Sequence, residues 1–211
     1  MTKPDAKAVI FDCDGTLALT ATLHFDAFNA ALALQGACMD RAWYEARKGL
    51  DRNDLIAAFS EEHDGALDTA RLVADSRRIT VERAERTAVE NPPVAALARR
   101  LKGMLPIAVG SNAETEVVRA ILRGAGLDHL FDVVITVVEA QVPKPDPAIF
   151  LLAAERLAVK PCDCLVLEDS EQGLQAAIAA GMKVLDVRRN DALSRIETWR
   201  DEARPVARRV P

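Results

Sequence analysis

The sequence has 211 residues, which is long enough to bury a sizeable core, either as one large domain or as a core with a small accessory domain. Half of the residues are hydrophobic, 28% are charged and 4% are aromatic, a composition that is typical of a soluble globular protein. The net charge of −5 at pH 7 argues against a nucleic-acid partner, because such binding depends on clustered Lys and Arg side chains.

The sequence also argues against a membrane partner and against secretion. No apolar stretch is long enough to span a bilayer, and the first residues lack the apolar region of a signal peptide. The irregular spacing of the cysteines predicts reduced structural thiols rather than disulfides or metal ligands. We therefore expect a cytoplasmic protein.

An apolar run at residues 8–11 ends in two carboxylates, Asp12 and Asp14, followed by Gly15 and Thr16. Such a run predicts a strand buried on both faces of a parallel sheet, and ligands bind beyond the carboxyl ends of these strands. Two anions so close to a core are costly unless a cation neutralises them, and oxygen ligands favour Mg²⁺. The alternative is an ordinary polar turn, in which Asp and Gly are common.

Between about Thr20 and Glu90 the sequence predicts only helices. Apolar residues recur at helical spacing, with hardly any glycine or proline to interrupt them. The predicted helices cover residues 22–35, 41–59 and 67–89. Pro92 and Pro93 then close this insert and open a helix that runs to Leu101.

After the insert, short apolar runs alternate with helices. The predicted strands are residues 105–109, 133–137, 164–167 and 183–187. This alternation implies right-handed crossovers and a parallel sheet, to which the first strand also belongs. We therefore predict an α/β fold: a doubly wound parallel sheet, formed by residues 1–19 and 91–211, with an inserted α-helical cap, residues 20–90. Residues 188–211 are predicted to form a loosely packed helix with a frayed end.

The second predicted strand leads into Gly110, Ser111 and Asn112, just before a helix. A phosphate bound here would receive hydrogen bonds from the Ser111 hydroxyl and from the free amides at the start of that helix. Ser111 also fits a structural role, because Ser111 and Glu114 have the spacing of a capping box. The sequence leaves both interpretations open.

Lys144 lies between two prolines, Pro143 and Pro145, which restrict the backbone on either side of it. Most lysines are solvated surface charges. A lysine on so rigid a loop at the carboxyl edge of a sheet instead favours a contact with a phosphate or with a carboxylate of the site. Asp146 is predicted to cap the helix that follows.

The strand at residues 164–167 also ends in adjacent acids, Glu168 and Asp169. Two acids at the start of a helix would stabilise its dipole, which is the simpler interpretation. If the strands are neighbours, however, these acids converge with Asp12 and Asp14. Four acids in one crevice would then predict a cation site.

Together these segments resemble the four motifs of the haloacid dehalogenase superfamily, in the same order and each at a strand end. The matching segments are DxDGT at residues 12–16, Ser111, Lys144 within KPDPAIF, and Glu168-Asp169 followed by Ser170 and Gly173. The resemblance is closest to the branch with a helical cap between the first two motifs. That branch contains phosphoglycolate phosphatases, small sugar-phosphate phosphatases and β-phosphoglucomutases.

This resemblance implies a two-step phosphoryl transfer. Asp12 would attack a small phosphomonoester to give an aspartyl phosphate, while Asp14 acts first as general acid and then as general base. Mg²⁺ would be held by Asp12, by the backbone carbonyl of Asp14 and by Asp169. The other residues implied in the site are Ser111, Asn112 and Lys144 as phosphate ligands, and Thr16 and Glu168 as supporting residues.

The resemblance leaves a choice between a phosphatase and a β-phosphoglucomutase-type phosphosugar mutase. His24 resembles a cap histidine that assists proton transfer in the mutases, and Arg52 resembles a cap arginine that binds the distal phosphate of their substrate. The alternative is that both are solvated surface groups, as histidines and basic residues on cap helices usually are. Related phosphatases carry a similar histidine, and Thr16 stands where mutases commonly have valine, so a phosphatase is favoured. A dehalogenase is disfavoured, because those relatives lack an acid equivalent to Asp14.

The expected partner is a small phosphorylated metabolite. Fructose 1-phosphate, other hexose phosphates and phosphoglycolate are all candidates. A monomer or weak dimer is expected, because the cap gives the enzyme its own lid. A binding protein without turnover is disfavoured, since the sequence retains every acid and the lysine of the four motifs.

Overall fold

A computed structural model describes residues 6–47, 49–63, 66–189, 191–192 and 194–195. The strands within these residues are β1 (Ala8–Phe11), β2 (Ile107–Ser111), β3 (Val133–Thr136), β4 (Cys164–Glu168) and β5 (Lys183–Asp186). They form one parallel sheet in the order β3-β2-β1-β4-β5. The predicted parallel sheet is confirmed.

β1 lies at the centre of the sheet, with β2 and β4 as its neighbours, and its apolar residues are buried on both faces. Ile10 is paired with Ala108 of β2 and with Val166 of β4. Alternate residues of β1 belong to separate apolar clusters on the two faces of the sheet. Asp12, which directly follows β1, therefore lies between the carboxyl ends of β2 and β4.

Helices cover both faces of this sheet and form the insert. They are α1 (Ala21–Ala33), α2 (Arg41–Glu45), α3 (Arg52–Glu62), α4 (Thr69–Thr87), α5 (Pro92–Leu101), α6 (Thr115–Gly124), α7 (Val137–Ala140), α8 (Ala148–Arg156) and α9 (Glu171–Ala179). α5 and α6 pack on one face of the sheet, and α8 and α9 pack on the other. No helix in the described part of the chain is long and apolar enough to cross a membrane.

Helices α1 to α4 form the cap, which has a small apolar cluster of its own. This cluster includes Phe28, Tyr44, Ile56 and Leu72. The last cap helix also reaches the core, because Ala84 of α4 belongs to the cluster beneath α5 and α6. Helix α4 therefore packs against the core as well as against the other cap helices. The exact domain boundaries at residues 20 and 90 stay a prediction.

The predicted helix over residues 41–59 is wrong. The structure divides this segment into α2 and α3, separated by a loop in which Gly49 has a φ of 96°. Asp51 ends the loop, and its side chain accepts hydrogen bonds from the backbone N–H groups of Asn53 and Asp54. A glycine with positive φ and an Asp N-cap are the local causes of the break. Lys48 and most of the predicted C-terminal helix lie outside the described residues.

Gly124 lies at a close contact between cap helix α4 and core helix α6. A Cβ at Gly124 would lie 2.0 Å from the carbonyl oxygen of Ala84, so only glycine allows the two backbones to approach in this way. Ion pairs join the same two helices, with N–O distances of 3.0 Å for Arg77–Glu116 and 2.7 Å for Arg123–Glu85.

The substitution Gly124→Ala is expected to destabilise the protein by about 2 kcal/mol, because the added methyl group overpacks the α4–α6 contact. For a chain of this size the melting temperature should fall by roughly 4–8 °C, which thermal unfolding measures. Gly36→Ala is the comparison, because a Cβ there meets no atom within 4 Å and only its φ of 75° is unfavourable. If Gly124→Ala left the melting temperature unchanged, the close contact between the two backbones would not limit the stability of the protein.

Candidate active site

The carboxyl ends of β1, β2 and β4 bring the predicted residues together at one edge of the sheet. Asp12 follows β1, and its backbone N–H donates to the carbonyl of Leu167 at 2.9 Å. Ser111 and Glu168 are the last residues of β2 and β4. The motifs are far apart in the sequence but lie close together in the structure, because β1 lies between β2 and β4.

Lys144 is buried at the centre of this cluster. Its Nζ donates hydrogen bonds to Asp12 Oδ1 at 2.8 Å, to Glu168 Oε2 at 2.8 Å and to the Gly110 carbonyl at 2.9 Å. Burial alone would lower the pKa of Lys144, but the Asp12 and Glu168 carboxylates outweigh it and raise the pKa above its ordinary value. Lys144 is 5% exposed, so the alternative of a solvated surface charge is wrong.

The segment around Lys144 is held on both sides. The backbone N–H of Lys144 donates to Asn112 Oδ1 at 2.7 Å, and Asn112 Nδ2 donates back to the Lys144 carbonyl at 3.3 Å. Asn112 Nδ2 also donates to the carbonyl of Gly49 in the α2–α3 loop at 3.3 Å. Asn112 thus connects three segments of the site. Asp146 is not the N-cap of α8, which is Pro147, but its side chain accepts a hydrogen bond from the backbone N–H of Ala148, the first residue of that helix.

Asp12, Glu168 and Asp169 place carboxylate oxygens within 4.8 Å of one another. Oδ2 of Asp12 is buried and has no hydrogen-bond partner in the described part of the chain. Burial, followed by the charge of Glu168, raises the pKa of Asp12 well above its ordinary value, and burial with Glu168 and Asp14 raises that of Asp169 to about 6. Crowded oxygen ligands with an unsatisfied buried oxygen fit a divalent cation such as Mg²⁺.

Glu168 and Asp169 are oriented by different neighbours. Glu168 Oε1 accepts from the backbone N–H groups of Asp169 and Ser170, at 3.0 and 2.9 Å, while its Oε2 contacts Lys144. Glu168 Oε1 thus fixes the turn that leads into α9, whose N-cap is Ser170, while the role of Glu168 in a cation site stays a prediction. Thr16 Oγ1 donates to Asp169 Oδ1 at 3.3 Å.

Gly15 allows the first loop to lie against Asp169. Its φ is 87°, and a Cβ there would lie 2.1 Å from Asp169 Oδ2. A side chain at this position would therefore both strain the backbone and displace a carboxylate of the cluster.

Asp14 is in contact with the cap. Nε2 of His24, on α1, lies 2.6 Å from Asp14 Oδ1, and Ser111 Oγ lies 3.4 Å from Asp14 Oδ2. Burial alone would raise the pKa of Asp14, but the charge and hydrogen bond of His24 and a hydrogen bond from Thr20 outweigh it, so the pKa is lowered. The structure therefore brings His24 to the second acid of the first motif.

Ser111 does not cap α6. Its hydroxyl accepts a hydrogen bond from the backbone N–H of Ala113 at 3.0 Å, and α6 begins at Thr115 after an N-cap, Glu114, that makes no side-chain cap bond. The capping-box alternative for Ser111 and Glu114 is thus wrong, and the buried Ser111 hydroxyl faces Asp14.

Arg52 lies in the same cleft but is already paired. Its Nε donates to Glu114 Oε1 at 2.8 Å, and its Nη1 donates to Ser76 Oγ at 3.0 Å. Arg52, for which a substrate contact was predicted, is thus a buried residue and not a solvated surface group. Glu114 was not predicted as a site residue, and no local signal could have found it, because its partner lies in the cap 62 positions away.

The cleft between core and cap has a volume of about 810 Å³. The strand-end carboxylates, Lys144 and Ser111 line one side. The cap residues that line it include His24, Phe28, Tyr44, Arg47, Leu50 and Arg52. A cleft of this size accommodates a small metabolite, with one end at the carboxylates and the other beneath the cap.

The fold and the site define a capped α/β enzyme whose central groups are carboxylates and a buried lysine. A family model described as haloacid dehalogenase-like hydrolase matches residues 6–181, so the chain belongs to that family. The predicted superfamily is confirmed.

Individual relatives agree with this assignment. Fructose-1-phosphate phosphatase YqaB of Escherichia coli K12 is 34% identical over 180 residues, covering 85% of this chain and 95% of the relative. β-Phosphoglucomutase of Bacillus subtilis is 31% identical over 188 residues, covering 86% and 83%. The crystal structure of CbbY from Rhodobacter sphaeroides in complex with phosphate is similar with a TM-score of 0.79 at 31% identity, covering 85% and 84%. The prediction of a phosphoric monoester hydrolase is confirmed.

Proposed function

We propose that this protein is a Mg²⁺-dependent phosphatase that hydrolyses a small phosphomonoester, of the sugar-phosphate or phosphoglycolate type, through an aspartyl-phosphate intermediate. The observation that carries the proposal is the contact of Asp12 with the buried Lys144 ammonium, next to Asp14 at the same end of the cleft. The phosphatase-named relative and the phosphate-bound structural neighbour support it.

In the first step, a carboxylate oxygen of Asp12 attacks phosphorus, and the bond from phosphorus to the ester oxygen breaks. Asp14 gives its proton to the leaving oxygen, and His24, at 2.6 Å, is placed to exchange a proton with Asp14. The Lys144 ammonium and the Ser111 hydroxyl stabilise the negative charge on the transferring group.

In the second step, ionised Asp14 takes a proton from a water molecule, whose oxygen bonds to phosphorus as the bond from phosphorus to Asp12 breaks. The lowered pKa keeps Asp14 ionised, as this step requires, so the proton that Asp14 donates in the first step has to come through its contact with His24. Inorganic phosphate and the free Asp12 carboxylate result. Asn112 supports the site by fixing the position of the Lys144 segment.

Mg²⁺ is proposed as the cofactor because the donor set fits it. Asp12, Asp169 and the backbone carbonyl of Asp14 would hold it, with Glu168 orienting Lys144 and Thr16 orienting Asp169. When bound, the cation supplies positive charge that offsets the charge of the phosphoryl group. We also propose a cytoplasmic location. A monomer or weak dimer is proposed because the chain's own cap completes the cleft.

A β-phosphoglucomutase-type phosphosugar mutase is the second candidate. It is supported by the His24–Asp14 contact and by the similarity to a β-phosphoglucomutase. A mutase differs in returning the phosphoryl group to a sugar hydroxyl and in excluding water from the intermediate. Thr16, where mutases commonly have valine, favours the phosphatase.

Phosphate release should be measured with Mg²⁺ across a panel of small sugar phosphates and phosphoglycolate. β-Glucose 1-phosphate should be assayed in parallel for conversion to glucose 6-phosphate. We expect free phosphate without interconversion, loss of the activity with a chelator, and recovery with added Mg²⁺. Interconversion with little free phosphate would instead establish the mutase, and turnover unaffected by chelation would contradict the metal requirement.

A further inference from the structure

The cleft contains a second charged pair, formed by Arg52 of α3 and Glu114 at the start of α6. Besides the bonds to Glu114 and Ser76, the Arg52 guanidinium lies over the Phe28 ring, 5.2 Å from its centroid. The Arg52 side chain is only 5% exposed. Arg52 is therefore fixed in one position by residues of both cap and core.

One oxygen of this pair is unsatisfied. Oε2 of Glu114 is buried and has no hydrogen-bond partner among the residues that the structure describes, although Glu114 lines the cleft. A buried acceptor without a donor is costly, so a molecule that enters the cleft and brings an O–H group within hydrogen-bond distance of Oε2 would gain binding energy. A sugar or polyol presents such hydroxyl donors, whereas an ionised phosphate or carboxylate presents acceptors only.

The charges of Arg52 and Glu114 exclude an anionic group of the substrate from the position of this ion pair. Glu114 already neutralises Arg52 at 2.8 Å, so a second phosphate on the substrate would have to displace Glu114 or lie beside its carboxylate. Either arrangement brings like charges together or leaves a buried carboxylate without its partner. Such repulsion is a recognised source of specificity against a competing ligand.

We propose that the Arg52–Glu114 pair is a hydroxyl-binding subsite, which selects phosphomonoesters whose non-reacting end is an uncharged sugar or polyol and excludes bisphosphates and acidic monoesters such as phosphoglycolate. Glu114 is the specificity-determining residue, and Arg52 holds it in place. This assignment replaces the distal-phosphate contact that the resemblance implies for Arg52. The inference rests on the proposed phosphatase function and narrows its substrate class.

The test compares hydrolysis of the 1-phosphate of fructose 1-phosphate with hydrolysis of the 1-phosphate of fructose 1,6-bisphosphate, followed as formation of fructose 6-phosphate, so that the two substrates differ in the charge of the non-reacting end. The ratio of kcat/KM for the two compounds is measured in one preparation, so the fraction of folded enzyme cancels. For the unmodified protein we expect the monophosphate to be preferred by about tenfold or more. Glu114→Gln keeps the size and one acceptor but removes the charge, and should reduce this preference by about fivefold or more, mainly through KM for the bisphosphate.

Glu116→Gln is the matched control, because it makes the same change on the same helix at an exposed pair with Arg77 outside the cleft. It should leave the ratio unchanged. Equal turnover of the two compounds by the unmodified protein, or a ratio that Glu114→Gln does not move, would overturn the subsite while leaving the phosphatase intact. If no phosphomonoester in the panel released phosphate, the proposed function would be overturned, and this inference with it.

Discussion

Replacing Asp12 with asparagine is expected to reduce phosphate release by roughly 10⁴-fold or more, as the loss of a nucleophile does in other enzymes. An amide cannot form the aspartyl phosphate, and it removes a negative oxygen from the proposed Mg²⁺ site. The fold should survive, because Asn is isosteric with Asp and Lys144 keeps its hydrogen bonds to Glu168 and to the Gly110 carbonyl. The initial rate of phosphate release with saturating Mg²⁺ measures the effect.

Asp163→Asn is the control for this experiment. Asp163 lies immediately before β4, at the other end of that strand from Glu168. Its carboxylate pairs with the exposed Lys7 at 2.9 Å. The same chemical change at this position should leave the rate unaltered. Retention of more than about a tenth of the activity by Asp12→Asn would rule out Asp12 as the nucleophile.

The sheet was predictable because its signals are local. The run at residues 8–11 is apolar without interruption, as expected for a strand between two helical layers, and each later strand carries a similar run. Parallel strands end at one edge, so the proximity of Asp12, Ser111 and Glu168 follows once the fold class is known. The order of strands within the sheet then decides which side chains touch.

The cap was less predictable, because contacts rather than periodicity determine it. Residues 41–59 have helical spacing, yet Gly49 and the Asp51 N-cap divide the segment, and the resulting loop contacts Asn112 of the core. The partner of Arg52 was also hidden. Glu114 has the spacing of a capping box with Ser111. Only the position of α3 against α6 shows that the Glu114 carboxylate pairs with Arg52 in the cleft instead.

Lys144→Met is expected to abolish activity and to destabilise the protein by about 3–5 kcal/mol, the usual cost of removing one partner from a buried ion pair. Methionine fills a similar volume beside the Phe150 ring, which the Lys144 ammonium now faces at 4.7 Å. The loss is therefore electrostatic, because Asp12 and Glu168 remain buried without their cation. Chemical denaturation in the presence of a chelator, together with phosphate release, measures both effects.

The electrostatic origin of this loss predicts how it depends on pH. Removing Lys144 raises the folded-state pKa of Asp12 further, since the lysine is the charge that now lowers it. An acid whose folded-state pKa lies above its unfolded value favours the folded state at low pH and loses that contribution as the pH rises. The difference in unfolding free energy between the variant and the unmodified protein should therefore shrink as the pH is lowered from about 8 to about 5.

Lys102→Met provides the comparison for Lys144→Met. Lys102 pairs with Asp132 at 2.9 Å, close to the 2.8 Å of Lys144 with Asp12, but the Asp132 side chain is 91% exposed. Because exposed ion pairs contribute little, this variant should change the unfolding free energy by less than about 1 kcal/mol at any pH in that range. Equal destabilisation by the two substitutions would mean that burial of the Asp12–Lys144–Glu168 cluster does not determine its energetic importance.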